Sequence, residues 1–194
     1  MREGVIKFRC VWRKARAPPL TAVRGAIALR QRLHAQGLIF PDRQGIGHGN
    51  VSVRSSAGFY ITGTGTGALD TVSNQHFTNV TQVDVAKNQL ACIGPVRASS
   101  ESMTHYAVYA ACPEAKAVIH VHAPKVWKQW VGKLPTTARR AQYGTPEIAK
   151  STFQLFAETD VQKRKAFVLG GHRPGLIAFG RTIAEAERAL RKYV

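Results

Sequence analysis

The sequence predicts helices layered on a sheet that is not purely parallel, in the α/β or α+β class. Three observations predict it: a helix with a broad apolar stripe over residues 19–38, two hairpin patterns between residues 50 and 94, and short apolar strands set between further helices.

The first residues, MREGVIKFRCVWRKAR, are basic and almost free of acid. No apolar stretch with a small-residue cleavage site follows, so a secretory leader is not expected. Residues 1–18 are expected as a solvated basic arm and residues 19–194 as one domain. Pro18 and Pro19 open the first helix, Leu20, Val23, Ile27, Leu29 and Leu33 form its stripe, and Gly37 closes it. In NVSVRSSAGFYIT, Val51 and Val53 alternate with Ser52 and Arg54, and Ser55–Gly58 make a turn, which reads as a hairpin. TNVTQVDVAKNQLACIG reads as a second hairpin, turning at Lys87-Asn88. SSESMTHYAVYAAC is a helix, with Ser99 or Ser100 expected as N-cap and Pro113 beyond its end. AKAVIHV is a strand, and Pro124 to Val131 a short helix. TPEIAKSTFQLFAE starts at Thr145 with Pro146 in its first turn. KAFVLGG and GLIAFG are strands, and TIAEAERALRKYV is a closing helix.

Composition narrows the class. The chain has 194 residues, 44% hydrophobic and 20% charged, as ordinary globular domains do. No apolar run approaches the roughly 18–20 residues that span a bilayer, so no membrane partner is expected. Three cysteines form no spaced framework and no CxxC pair, which suits a reducing, cytoplasmic setting and gives a thiolate metal site no support. The net charge of +17 points to a polyanion or an anionic substrate. Its lysines and arginines are spread along the chain rather than gathered with aromatics, so nucleic acid is not the expected partner.

The chemistry concentrates in AVIHVHAP. Side chains two apart in a strand share a face, so His120 and His122 project together. Two imidazoles converging in this way suit a transition metal, and they also suit a hydrogen-bonded pair on a partly solvated face. A third ligand is needed, and His172, in a turn between two apolar strands, is a candidate. His34 reads as a plain helix residue and His76 as a loop residue. Glu101 opens a helix behind two serines, where the helix dipole alone favours a carboxylate; it is also a candidate fourth ligand or general base. His105, four residues on, shares its helix face and could contact it. Gly49-Asn50, the GTGTG run, and Ser99 and Ser100 could together cradle an anion. The glycine run fits neither the dinucleotide fingerprint nor a GK[ST] phosphate loop.

The ordered set GNVSVR, YITGTG, SSE, HVH and GLIAFG resembles the class II aldolase/adducin family, from about residue 20 to the C-terminus. ESMTHYAVYAACPEAKAVIHVHAP, YGTPEIA and GRTIAEAERAL agree with it. The resemblance implies a three-layer αβα sandwich with a central mixed, largely antiparallel sheet. It implies a divalent metal held by His120, His122 and His172, usually zinc, with Mn2+, Fe2+ or Co2+ as the other ions. It makes Glu101 the acid/base residue, and Gly49, Asn50, Thr64, Gly65, Ser99 and Ser100 the binders of a substrate phosphate. The implied reaction is aldolase-like: cleavage of a C–C bond next to a carbonyl, in a phosphorylated sugar or related keto compound, through a metal-stabilised enediolate. Dehydratase, decarboxylase and 4-epimerase chemistry on the same fold, and a non-catalytic adducin-like binding module, are the alternatives. The segment between HVH and YGTPE is shorter than in the aldolases, which carry tyrosines there; Tyr143 and Tyr193 are the nearby aromatics. Family members usually form cyclic tetramers, so a homotetramer is expected.

Overall fold

The computed structural model describes residues 5–172 and 174–194. Its elements in chain order are β1 (Arg9–Lys14), α1 (Leu20–Ala35), β2 (Phe40–Pro41), β3 (Gly47–His48), β4 (Asn50–Ser55), β5 (Gly58–Thr62), β6 (Phe77–Asp84) and β7 (Gln89–Gly94). There follow α2 (Ser102–Ala111), β8 (Ala117–His122), α3 (Pro124–Trp130), α4 (Pro146–Glu158), α5 (Val161–Arg164), β9 (Ala166–Val168), β10 (Gly175–Gly180) and α6 (Ile183–Arg191).

Eight strands form one sheet in the order β1-β7-β6-β5-β4-β8-β10-β9. Every neighbouring pair is antiparallel except β1 with β7. The sheet separates two apolar cores. On one face Val23, Leu29 and Leu33 of α1, Trp127 of α3 and Leu190 of α6 cover Ile119 and Val121 of β8. On the other, Met103 and Val108 of α2 and Ile148 and Leu155 of α4 cover Val118, Ile177 and Phe179. Both faces being covered explains why β8 is buried at every residue. The expected αβα sandwich with a mixed, largely antiparallel sheet is what the chain forms.

Both hairpins form where expected, and Asn88 takes the left-handed conformation at the β6–β7 turn, with φ 47°. One helix start differs from expectation. The N-cap of α2 is Glu101, not a serine; Ser99 sits two residues earlier, and its hydroxyl accepts from the Glu101 N–H. Thr145 holds the cap position of α4, but its hydroxyl donates to the Gln142 carbonyl instead of capping the helix.

The expected solvated arm is corrected in part. Residues 1–4 lie outside the described residues, but residues 9–14 form β1, the edge strand of the sheet. Its side chains alternate: Cys10 and Trp12 turn inward, whereas Arg9, Val11 and Arg13 stay exposed. Phe8 is buried in the core under α2, and the Trp12 indole donates to the Gly94 carbonyl at 3.0 Å. Pairing with β7 satisfies backbone groups on both strands that would otherwise meet only water.

One buried cation organises the loop after β5. Arg30 of α1 is 1% exposed. Its guanidinium donates to the carbonyls of Thr66, Gly67, Leu69 and Asp70. This holds the GTGTG segment against β3. A Cβ on Gly67 would lie 2.7 Å from the His48 nitrogen, so only glycine allows that approach.

Candidate metal centre

Strand β8 lies between β4 and β10, and it ends on His120 and His122, two side chains of one face. They point to the α2 face, since Ile119 and Val121 are committed to the opposite core. His172 arrives from the β9–β10 connection. There the Gly175 N–H donates to the His172 carbonyl at 2.8 Å, and the Ala123 N–H donates to the Pro174 carbonyl, tying this turn to the end of β8. The candidate ligand atoms of the three histidines lie within 4.8 Å of one another, and all three residues are buried.

The nitrogens converge closely. His122 Nε2 and His172 Nε2 are 3.0 Å apart, and His172 Nε2 is 3.2 Å from Glu101 Oε1. Two neutral rings with lone pairs turned inward repel unless a proton or cation lies between them. Ring nitrogens sharing a tetrahedral zinc ion stand about 3.3 Å apart, from bonds of about 2.0–2.1 Å. Burial pushes the His120 imidazole well below its ordinary pKa, and burial pushes His172 down to about 3. Both rings are therefore neutral near pH 7, the form that binds metal.

His120 gives a second test of fit. Its Nε2 is buried without a hydrogen-bond partner, and so is Asn50 Oδ1. Asn50 faces His120 across the β4–β8 ladder, with its Nδ2 3.3 Å from His120 Nδ1. Turning the Asn50 amide over lets Oδ1 accept from Nδ1–H. The lone pair then lies on Nε2, where a metal would use it. The donor set fits a divalent ion.

Glu101 is 2% exposed at the start of α2. The Thr104 hydroxyl donates to its Oε2 at 2.7 Å, leaving Oε1 turned to His172. His105 does not turn to Glu101 as its helix position suggested. Its Nδ1 bonds Ser52 Oγ at 2.7 Å, which in turn bonds the Tyr109 hydroxyl at 2.8 Å. Burial holds His105 at about 3 as well.

Gly49, Asn50, Thr64, Gly65, Ser99 and Ser100 all line one cleft with Glu101, His120, His122 and His172. The described lining of the cleft holds no lysine or arginine. An anion there would meet amides and hydroxyls of the described lining. His34 and His76 stand apart from it, as expected: His34 is paired with Asp70, and His76 caps a short 3-10 turn.

Two aromatic rings beside the histidines go beyond the expected site. His48 lines the cleft, 7% exposed, with its ring centroid 4.5 Å from that of His122. Tyr143 packs edge-on against His172 at 4.7 Å, with the Lys7 ammonium 3.8 Å from the tyrosine ring centre. Histidine beside glycine in IGHGN reads as a loop residue, and its neighbours Gly49-Asn50 are the only local signal of a role.

A sheet between two helical layers, with imidazoles and a carboxylate gathered at the end of an inner strand, defines a domain whose three histidines could hold a metal ion. Residues 43–192 match the family described as the Class II Aldolase and Adducin N-terminal domain, and the chain belongs to that family. It is 31% identical over 150 residues to a 5-methylthioribulose-1-phosphate/5-deoxyribulose-1-phosphate aldolase of Rhodospirillum rubrum, covering 71% of this chain and 63% of the relative. The chain thus spans under two thirds of the length of that curated relative. The structure is similar to the l-fuculose-1-phosphate aldolase of Thermus thermophilus, with a TM-score of 0.62, 26% identity, and coverage of 89% of this chain and 85% of that one. A sugar-phosphate aldolase of Thermotoga maritima shares the fold at a TM-score of 0.58 and 18% identity, covering 88% and 94%. No described helix is long and apolar enough to cross a membrane.

Proposed function

We propose that the chain is a metal-dependent lyase that cleaves a C–C bond next to a carbonyl in a phosphorylated sugar or related keto compound. The observation that carries this reading is that His172 Nε2 meets both His122 Nε2, at 3.0 Å, and Glu101 Oε1, at 3.2 Å, in a cleft also lined by the Gly49-Asn50, Thr64-Gly65 and Ser99-Ser100 segments.

In this reading His120, His122 and His172 hold the ion, and zinc suits their neutral nitrogens best. A divalent ion bound there supplies Lewis acidity that favours negative charge on the substrate's carbonyl oxygen. Gly49, Asn50, Thr64, Gly65, Ser99 and Ser100 grip the phosphate and fix the distance from it to the reacting carbon. Breaking the bond leaves its electron pair on the carbon next to the carbonyl, as an enediolate, while the other fragment leaves as an aldehyde and its hydroxyl proton passes to water. Glu101 Oε2 is engaged by Thr104, so Oε1 is the oxygen that carries the proton to or from that carbon. The chain is read as a cytoplasmic homotetramer. The cytoplasm is supported by its three free thiols, and the tetramer by resemblance alone.

The test is metal content of untagged, dialysed protein beside His120→Ala, followed by cleavage assays. Fuculose 1-phosphate and 5-deoxyribulose 1-phosphate are the first probes, since relatives are named for them. Near-stoichiometric metal lost in the variant, with release of dihydroxyacetone phosphate, is the expected result. A wild type that neither contains nor takes up zinc, manganese or cobalt overturns the lyase reading. Metal without cleavage, but with loss of water from a probe, or of carbon dioxide from an added keto acid, moves the reaction to the dehydratase or decarboxylase class.

A further inference from the structure

Asp42 and His48 form a pair that the lyase reading leaves without a role. His48 ends β3, and its cross-strand partner is Phe40, whose ring lies 5.9 Å away. Its Nε2 is 3.0 Å from Asp42 Oδ2. The other oxygen of Asp42 accepts from the N–H groups of Gln44 and Ile46, each at 2.9 Å. The loop closes further through Asp42 N–H to the Ile46 carbonyl and Gly45 N–H to the Asp42 carbonyl. The carboxylate is thus fixed by its own turn. These bonds, that from His48 foremost, hold the Asp42 carboxyl below its ordinary range.

The fixed carboxylate sets the plane of the His48 ring, and that ring stacks on His122. Their centroids are 4.5 Å apart and their planes 30° from parallel, a close tilted ring contact. A histidine's outer torsion is broad and two-fold, so packing must choose which nitrogen faces inward. The His122 backbone is held by its N–H bond to the Leu38 carbonyl, which leaves ring orientation to the surroundings of the side chain. His48 itself lies outside the group whose donor atoms converge, which contains only His120, His122 and His172 among the described residues.

We infer that the Asp42–His48 pair is a positioning device for the metal ligand His122, holding its ring by stacking so that Nε2 faces the other two imidazoles. The inference rests on the metal-binding part of the proposed function. It requires the ring of His48 rather than its nitrogens, and Asp42 as the anchor of that ring. Partners that orient a metal-binding histidine are typically worth about 10–100-fold in metal affinity.

The test is Co2+ titration of metal-stripped full-length protein, followed by visible absorption, for the wild type, His48→Ala, His48→Phe and Asp42→Asn, with His120→Ala as control. Circular dichroism of the stripped proteins reports folding separately. The expected result is affinity about 10-fold or more weaker in His48→Ala, and recovery to within about 3-fold of wild type in His48→Phe, with an unchanged cobalt spectrum. Asp42→Asn is expected to fall between them. Wild-type affinity in a folded His48→Ala overturns the inference. So does a His48→Phe as weak as His48→Ala with a shifted spectrum, which would make His48 a ligand. If His48→Ala does not fold, His48→Phe and Asp42→Asn still decide: a shifted spectrum in His48→Phe, or wild-type affinity in Asp42→Asn, overturns it. A wild type that binds Co2+ no better than His120→Ala overturns the metal reading itself, an outcome distinct from a selective His48 effect.

Discussion

Glu101 Oε1 stands 3.2 Å from His172 Nε2, a carboxylate at a helix start meeting an imidazole from a strand turn. The contact joins the proposed proton carrier to a proposed metal ligand, and it makes their roles separable by substitution.

Glu101→Gln keeps the shape and an oxygen for Thr104 but removes the proton-carrying charge. Cleavage is expected to fall about 10²–10⁴-fold while bound metal stays within about two-fold of wild type. Turnover measured beside metal analysis checks this. Parallel loss of metal would instead make Glu101 chiefly a ligand.

Acid should destabilise the metal-free protein early. His105 and His172 are each held at about 3 by burial, against an ordinary value of 6.5. Below pH 6.5 the unfolded chain therefore takes up protons that the folded chain refuses. Their contribution is complete above about pH 6.5 and falls as pH drops toward 3, by about 1.4 kcal/mol per pH unit for each group. Glu185, lowered to about 2 by its bond from Lys165, adds acid sensitivity only below about pH 4.5. Urea unfolding of EDTA-treated protein between pH 7 and 5 isolates the histidines. His105→Leu is expected to lessen that slope by about 1.4 kcal/mol per unit.

Gly175 faces His122 across the β8–β10 ladder. A Cβ there would lie 3.0 Å from His120 Nε2 and 2.8 Å from the His172 carbonyl oxygen. Gly175→Ala is expected to displace two of the three imidazoles, abolishing metal uptake and costing about 1–3 kcal/mol of stability. Metal analysis and a thermal melt read the two effects separately.

Phe8 anchors β1, and the exposed arginines beside it do not. Phe8→Ala is expected to cost about 3–5 kcal/mol, whereas Arg9→Gln and Arg13→Gln each stay within about 0.5 kcal/mol. Denaturant midpoints check the contrast.

Most of the architecture is legible in local pattern. Period-two alternation locates β4, an apolar run locates β8, and the two-residue spacing by itself puts His120 and His122 on one face. His172 is different, because no spacing rule links a turn histidine to a distant strand; the order of motifs supplies that link. Strand β1 is hidden for a physical reason. Its alternation of Cys10 and Trp12 with Arg9 and Arg13 is masked by charge, and its parallel partner β7 lies far along the chain, so no hairpin announces it. His48 is hidden because a ring held by its own loop and by one stacked neighbour leaves no periodic trace.

The parallel pairing of β1 with β7 also constrains how the molecule is made. As the chain leaves a ribosome, Arg9–Lys14 emerges before its partner Gln89–Gly94, which follows only after β4, β5 and β6 of the same sheet. Lys7 must wait longer still, for Tyr143, and Tyr143 for His172. During that wait a bare strand is at risk of pairing with another nascent chain, and Arg9, Arg13 and Lys14 are the kind of charge that discourages it. The three histidines can meet only after His172 has been synthesised, so a product that stops short of it carries the strand but not the cluster.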